Sequence, residues 1–125
     1  MEMHFASVWE TISDHIPDEP ALICDDDIKT WKEYDERAAK LAFFLDEKSI
    51  SNNSKVGLYL HNSNEYLEAQ FATFKVEGVP INVNYRYVEE ELIYLLDNSD
   101  SEVVFFQSSY SERIKKIADK LPKIK

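Results

Sequence analysis

An α/β fold is predicted: a mainly parallel sheet with flanking helices, preceded by an N-terminal helix and a β-hairpin. Three observations predict it. Short apolar runs near 56–60, 79–83 and 103–106 alternate with stretches of helical periodicity, the pattern of a sheet joined by right-handed crossovers. Those runs, "VGLYL", "VPINV" and "VVFF", are continuously apolar, as strands covered on both faces are. Ahead of them "PALICDDDIKTW" holds two short runs separated by polar residues, the mark of a hairpin. At 125 residues, 44% hydrophobic and 13% aromatic, the chain can build one core and has no room for two domains.

The elements follow in order. Phe5, Val8, Trp9, Ile12 and Ile16 recur at helical spacing, so 4–15 is an amphipathic helix, with Pro17 and Pro20 bracketing its exit. Asp25, Asp26 and Asp27 form the hairpin turn, because short polar side chains tolerate unusual backbone angles. Thr30 and Glu33 stand three apart, as in a capping box, and open a helix with a stripe of Tyr34, Ala38, Leu41, Ala42 and Leu45. "SISNNSK" is a polar loop leading to the first parallel strand. Asn62 and Glu65 repeat the capping spacing before a helix carried by Leu67, Phe71 and Phe74, which Gly78 stops in a left-handed conformation. After "VPINV", Val88 precedes a helix whose first turn holds Glu89, Glu90 and Glu91, against the positive end of the helix dipole. Leu92, Leu95 and Leu96 face its core. Ser109 and Glu112 cap the last helix, carried by Tyr110, Ile114, Ile117 and Leu121.

Charge excludes one class of partner. The net charge is −10, with +5 on Arg113–Lys125 and −15 on the rest. An acidic body repels nucleic-acid phosphates, and the basic tail reads as a solvated helix face. No apolar run reaches the ~18 residues of a transmembrane helix, and the acidic N-terminus lacks the basic start of a secretory signal. A single cysteine, Cys24, suits a reducing compartment, so the cytoplasm is the expected location. Negative charge beside Cys24 disfavours a reactive thiolate.

Ligands of such sheets sit beyond the carboxyl ends of the strands. That rim holds His61, Asn62, Ser63 and Asn64, then Asn84, Tyr85, Arg86 and Tyr87, then Gln107, Ser108 and Ser109. The same residues are also ordinary helix-capping sequences. With only Gly57 and Gly78, no dinucleotide fingerprint or phosphate loop can be drawn. His4, His15 and His61 show no metal-ligand spacing with Cys24 or a carboxylate. "ALICDDD" is similar to the first strand end of a response-regulator receiver, but the third strand ends in Asn84–Tyr85 and no Lys follows "VVFFQSS", so that constellation is incomplete.

Two segments resemble a known family. "TWKEYDERAAKLAFFL" is similar to the early helix of the AMP-forming acyl-CoA synthetases, members of the adenylate-forming superfamily. "KVGLYLHNSNEYLEAQFATFKVEGVPINVNYRYVEEELIYLLDNSDSEVVFF" resembles the strand–helix alternation that follows it. "INVNYRYVEEELIYLLDNSD" is the most specific part and resembles the branch acting on fatty acids and on acid side chains of larger lipids. "EKSISNNSKV" departs by lacking the family's loop glycines.

The resemblance implies a ligase that adenylates a carboxylic acid with ATP and passes the acyl group to coenzyme A, using ATP, Mg and CoA in the full-length protein. It implies that residues 1–125 are the N-terminal segment of the large domain, a partial subdomain whose partner is the remainder of the synthetase chain. The family's phosphate loop ending in Pro-Lys-Gly, its ribose-holding acid, hinge Arg and late catalytic Lys match no residue here. No catalytic, cofactor-binding or metal residue is therefore assigned, and the segment alone is expected to be inactive and to bind none of these cofactors. A homo-oligomer formed through uncovered apolar surface is a further expectation, with no nucleic acid and no transmembrane segment. The alternative reading is a stand-alone binding or interaction module derived from that fold.

Overall fold

The computed structural model describes residues 4–125. The chain runs α1 (Phe5–His15), β1 (Pro20–Cys24), β2 (Asp27–Thr30), α2 (Trp31–Glu47), β3 (Lys55–Tyr59), α3 (Asn64–Lys75), β4 (Val79–Asn82), α4 (Glu89–Asn98), β5 (Ser101–Phe106) and α5 (Ser111–Ile117), with 3₁₀ turns on either side of α5. β1 and β2 form an antiparallel hairpin, and the main sheet is parallel with order β4-β3-β5. The predicted architecture is the observed one.

Alternation along β3 divides the interior in two. Val56, Leu58 and Leu60 join Val103 under α2 and α3. Tyr59 lies on the opposite face with Leu92, Leu96 and Ile117 of α4 and α5. Gly57 shares that second face, where a Cβ would come within 2.9 Å of Leu96 Cδ2. The glycine is therefore needed for clearance, so that α4 can lie close to the sheet.

An aromatic cluster anchors the first core. Trp9 meets Phe71 edge-on at 5.2 Å and 82°, and Tyr34 lies 4.8 Å from the same ring; pairs of this kind add about 0.5–1.5 kcal/mol beyond burial. Lys75 ties three helices: its Nζ is 2.8 Å from Glu10 of α1 and 2.5 Å from Asp35 of α2, and 4.6 Å from the centre of the Phe71 ring.

Several local expectations change. The hairpin turn is Asp25–Asp26 alone; Asp25 takes the left-handed conformation at φ 52°, and Asp27 pairs with Cys24 as the first residue of β2. Thr30 and Glu33 do form the full capping box. At α3 the cap is Ser63, which accepts the Tyr66 N–H at 3.3 Å; Asn62 plays no such part. At α4 only half of a box exists, because Val88 has no side-chain oxygen: the Glu91 carboxylate accepts the Val88 N–H at 3.2 Å. Ser109 lies inside a 3₁₀ turn, Ser108–Tyr110, so α5 starts later and is shorter than the periodicity implies.

Gly78 is not the left-handed residue. Glu77 takes that conformation at φ 62°. Gly78 is small for another reason: a Cβ there would lie 3.0 Å from Ser54 O and 3.1 Å from Thr73 Cγ2. The loop before β3 also differs from its polar reading, since Ile50 is buried and contributes to the first core. On α1 the residues fully buried are Ala6 and Ser13, while Phe5, Val8 and Ile16 remain exposed. Leu67, on α3, is exposed as well.

Candidate functional site

The rim at the carboxyl ends of the strands is a bonded structure. β3 is followed by His61, whose N–H donates to Gln107 Oε1 at 3.1 Å. Its ring Nε2 is 2.6 Å from Tyr110 Oη, and its face lies 4.3 Å from the ring of Tyr85. Tyr110 in turn stacks on Tyr59 at 4.7 Å. Loops after all three parallel strands thus meet at one histidine. β3 and β5 are neighbours whose following helices lie on opposite faces, which makes the gap between them the topological switch point of the sheet. The His61–Gln107–Tyr110 contacts lie across that gap.

A second network sits beneath. Tyr59, fully buried, donates to Tyr87 O at 2.7 Å, and Arg113 Nη1 donates to Tyr59 Oη at 2.8 Å and to Tyr87 O at 3.2 Å. Arg113 Nε is 4.0 Å from Glu89. The Tyr59 hydroxyl holds the Arg113 guanidinium above its ordinary basic range, with Glu89 adding to the effect. The 84–88 loop is tightened further by Asn84, whose Oδ1 accepts the Arg86 N–H at 2.9 Å. Between these loops lies a cleft of about 350 Å³ lined by Asn62, Asn82, Asn84, Tyr85 and Tyr87 among others. Tyr66 reaches its edge by donating to Asn82 Oδ1 at 2.8 Å.

Not every rim residue faces that cleft. Asn64 is buried, and its Nδ2 donates to Asp27 O at 3.1 Å and Asp27 Oδ2 at 3.0 Å, fastening the hairpin to α3. Lys29 donates to the same carboxylate, and these two bonds hold Asp27 below the usual carboxylate range. Ser108 and Ser109 are exposed in the 3₁₀ turn. Glu89, Glu90 and Glu91 are helix-start residues. Sequence reasoning missed Tyr59 and Arg113 as partners, 54 residues apart. It also missed the ion pair of the buried Glu68 with Arg37, which edges a groove of about 360 Å³ between α2, α3 and the end of β5.

This geometry ties the three loops to one another. Among the described residues, no cluster of three or more His, Cys, Asp or Glu is placed to hold a metal ion. The polar lining of the cleft consists of asparagine amides and tyrosine side chains. No helix among the described residues is long and apolar enough to cross a membrane.

A parallel sheet with its loops joined at the carboxyl ends of the strands defines an α/β fold class, and comparison narrows it. A family model described as AMP-binding enzyme matches residues 9–125, so the chain belongs to that family. A 3-oxocholest-4-en-26-oate–CoA ligase of Rhodococcus rhodochrous is 38% identical over 125 residues, covering 100% of this chain and 22% of its own. A medium/long-chain-fatty-acid–CoA/3-oxocholest-4-en-26-oate–CoA ligase of Mycobacterium marinum is 37% identical over 123 residues, 98% of this chain and 22% of its own. The chain thus spans about a fifth of the curated relatives it matches. Among solved structures, a long-chain-fatty-acid-CoA ligase from Archaeoglobus fulgidus superimposes with a TM-score of 0.89 at 20% identity, covering 100% of this chain and 27% of its own. At that identity the likeness establishes the fold alone: the architecture of part of the N-terminal domain of adenylate-forming enzymes.

Proposed function

We propose that the chain serves as the N-terminal scaffold of an ATP-dependent acyl-CoA ligase acting on fatty acids or on acid side chains of larger lipids. The observation that carries this is the 38% identity to an acyl-CoA ligase over the whole chain. The overall reaction joins a carboxylic acid to CoA and converts ATP to AMP and pyrophosphate through an acyl-adenylate. A carboxylate is a poor acyl donor, and adenylation gives it a good leaving group; magnesium and cationic groups stabilise the phosphate charge. In this reading those groups come from other parts of the longer protein. Residues 4–125 contribute a rigid parallel sheet and the loops on its rim. Lone Cys24 fits a reducing location such as the cytoplasm.

ATP–pyrophosphate exchange with a panel of fatty acids tests both halves of the proposal. The complete protein should exchange label when a suitable acid is present, and the 125-residue chain should not. Exchange by the purified chain would refute its role as scaffold. Inactivity of the complete protein with every fatty and steroid acid would refute the ligase reading.

A further inference from the structure

The sequence holds three Asn–Ser pairs: Asn53–Ser54, Asn62–Ser63 and Asn98–Ser99. Asparagine is chemically labile, because its side-chain carbonyl can be attacked by the main-chain nitrogen of the next residue. A small successor such as serine leaves that nitrogen accessible. All three asparagines are exposed, so the pairs differ only in what the fold does with the attacking nitrogen. Ser54 N–H donates to Ser51 O at 3.0 Å, and Ser54 is buried. Ser99 N–H donates to Leu95 O at 2.9 Å, closing the end of α4. A nitrogen held in this way attacks only after local opening. Ser63 N–H has no acceptor among the described residues, and the Asn62 side chain has no hydrogen-bond partner among them.

The cap of α3 explains the free nitrogen. At α2 and α4 the third helical residue is a glutamate, and its carboxylate accepts the N–H of the capping residue: Glu33 takes that of Thr30 and Glu91 that of Val88. At α3 the same place holds Tyr66, which turns its hydroxyl to Asn82 Oδ1 instead. Ser63 therefore serves the helix through its side chain alone, accepting the Tyr66 N–H. The other asparagines are protected by different means. Asn64 is buried with its amide on Asp27. Asn84 is held by the Arg86 N–H and is followed by the bulky Tyr85. The N–H groups after Asn52 and Asn82 donate to Glu77 O and Leu58 O, both at 3.1 Å.

We infer that Asn62 is a site of spontaneous deamidation. The Ser63 main-chain nitrogen bonds to Asn62 Cγ, the Cγ–Nδ2 bond breaks, and ammonia leaves with the proton that nitrogen gave up. Water then opens the five-membered imide at either carbonyl, leaving aspartate or isoaspartate at position 62 with no change of oxidation state. Either product places a negative charge on the wall of the 350 Å³ cleft, among amides and tyrosines. Aspartate there is favoured by the positive end of the α3 dipole. Isoaspartate lengthens the main chain by one atom between His61, anchored on Gln107, and Ser63, anchored on Tyr66, and so loosens the junction of the rim.

The 125-residue chain, incubated at neutral pH in heavy-oxygen water and digested at acidic pH for peptide mass spectrometry, tests this. Each conversion takes one labelled oxygen from the hydrolysing water. Position 62 should convert at least ~10-fold faster than positions 53 and 98, and its rate should rise with pH, because the attacking nitrogen must lose its proton. In urea, where the fold no longer separates the three pairs, their rates should fall within about 3-fold of one another. Ser63→Thr keeps the capping hydroxyl and crowds the nitrogen with a branched Cβ, so it should slow conversion in the folded chain by at least ~3-fold. A rate at position 62 no greater than at 53 and 98, a lead that persists undiminished in urea, or an unchanged rate in Ser63→Thr overturns the inference.

Discussion

Replacing Tyr59 by Phe removes one oxygen from the least accessible part of the rim. Tyr59 is fully buried, and its hydroxyl joins Tyr87 O at 2.7 Å to Arg113 Nη1 at 2.8 Å. The ring volume is kept, so the second core stays filled and the loss is confined to hydrogen bonding. Arg113 retains its 3.2 Å bond to Tyr87 O, so neither remaining group is wholly abandoned. The expected cost is about 1–2 kcal/mol, in the range for a buried bond with a charged partner when some compensation survives. For a domain of this size that lowers the melting temperature by roughly 3–10 °C. Urea unfolding followed by circular dichroism measures it, with the slope of the transition unchanged. Arg113→Met made alone and together with Tyr59→Phe closes a double-mutant cycle, and the two changes should be less than additive. A loss under about 0.5 kcal/mol with additive single changes would show that the Tyr59 hydroxyl does not hold the 84–88 loop.

Three further outcomes are expected. Gly57→Ala places a methyl 2.9 Å from Leu96 Cδ2; it should cost about 1–3 kcal/mol in urea unfolding, and Leu96→Val in the same chain should recover part of that, whereas a neutral Gly57→Ala would contradict the close approach of α4. Asp27, Glu33, Asp100 and Glu102 are all held below their ordinary values, chiefly by hydrogen bonds from Lys29, Thr30, Lys123 and Lys125 respectively. The unfolded chain therefore binds protons more readily, so stability should be level above about pH 5 and fall as pH drops through the depressed values; a melting temperature that is flat or rises between about pH 5 and 3 would refute this. The 125-residue chain by itself should self-associate with rising concentration through its open edge and exposed Phe43, Phe44 and Phe106, and a single monomeric species at every concentration in sedimentation velocity would argue against that.

Much of the fold is legible where a signal is local. Thr30 and Glu33 declare a helix start because both partners of the box sit at a fixed spacing of three. The strands declare themselves by their apolar runs, although β4 carries the exposed Asn82 and is nowhere fully buried, and their boundaries move by only one or two residues. The glycines are legible as special and misleading as to why. Gly78 suggests conformational freedom, yet the neighbouring Glu77 takes the left-handed angle, and Gly78 is there for clearance from Ser54 and Thr73. The rim was placed correctly because parallel strands fix which end carries the loops. Its internal wiring was not, because Asn64 finds Asp27 across 37 positions and Arg113 finds Tyr59 across 54. Arg113 in particular reads as one more charge in a basic stretch until packing brings it under the loop.

The central position of β3 has a consequence for synthesis. Its first neighbour, β4, leaves the ribosome soon after α3, but its other neighbour, β5, follows only after α4. Apart from Val103, the core under α2 and α3 can therefore assemble while the opposite face of β3, with Tyr59 and Gly57, still waits for α4 and α5. The nascent chain passes through a half-covered stage lasting as long as about thirty residues take to emerge, a few seconds at typical elongation rates. A lesion at Leu96 or Ile117 prolongs that stage without touching the first core, so such variants should load chaperones during translation more than their equilibrium stability alone would suggest.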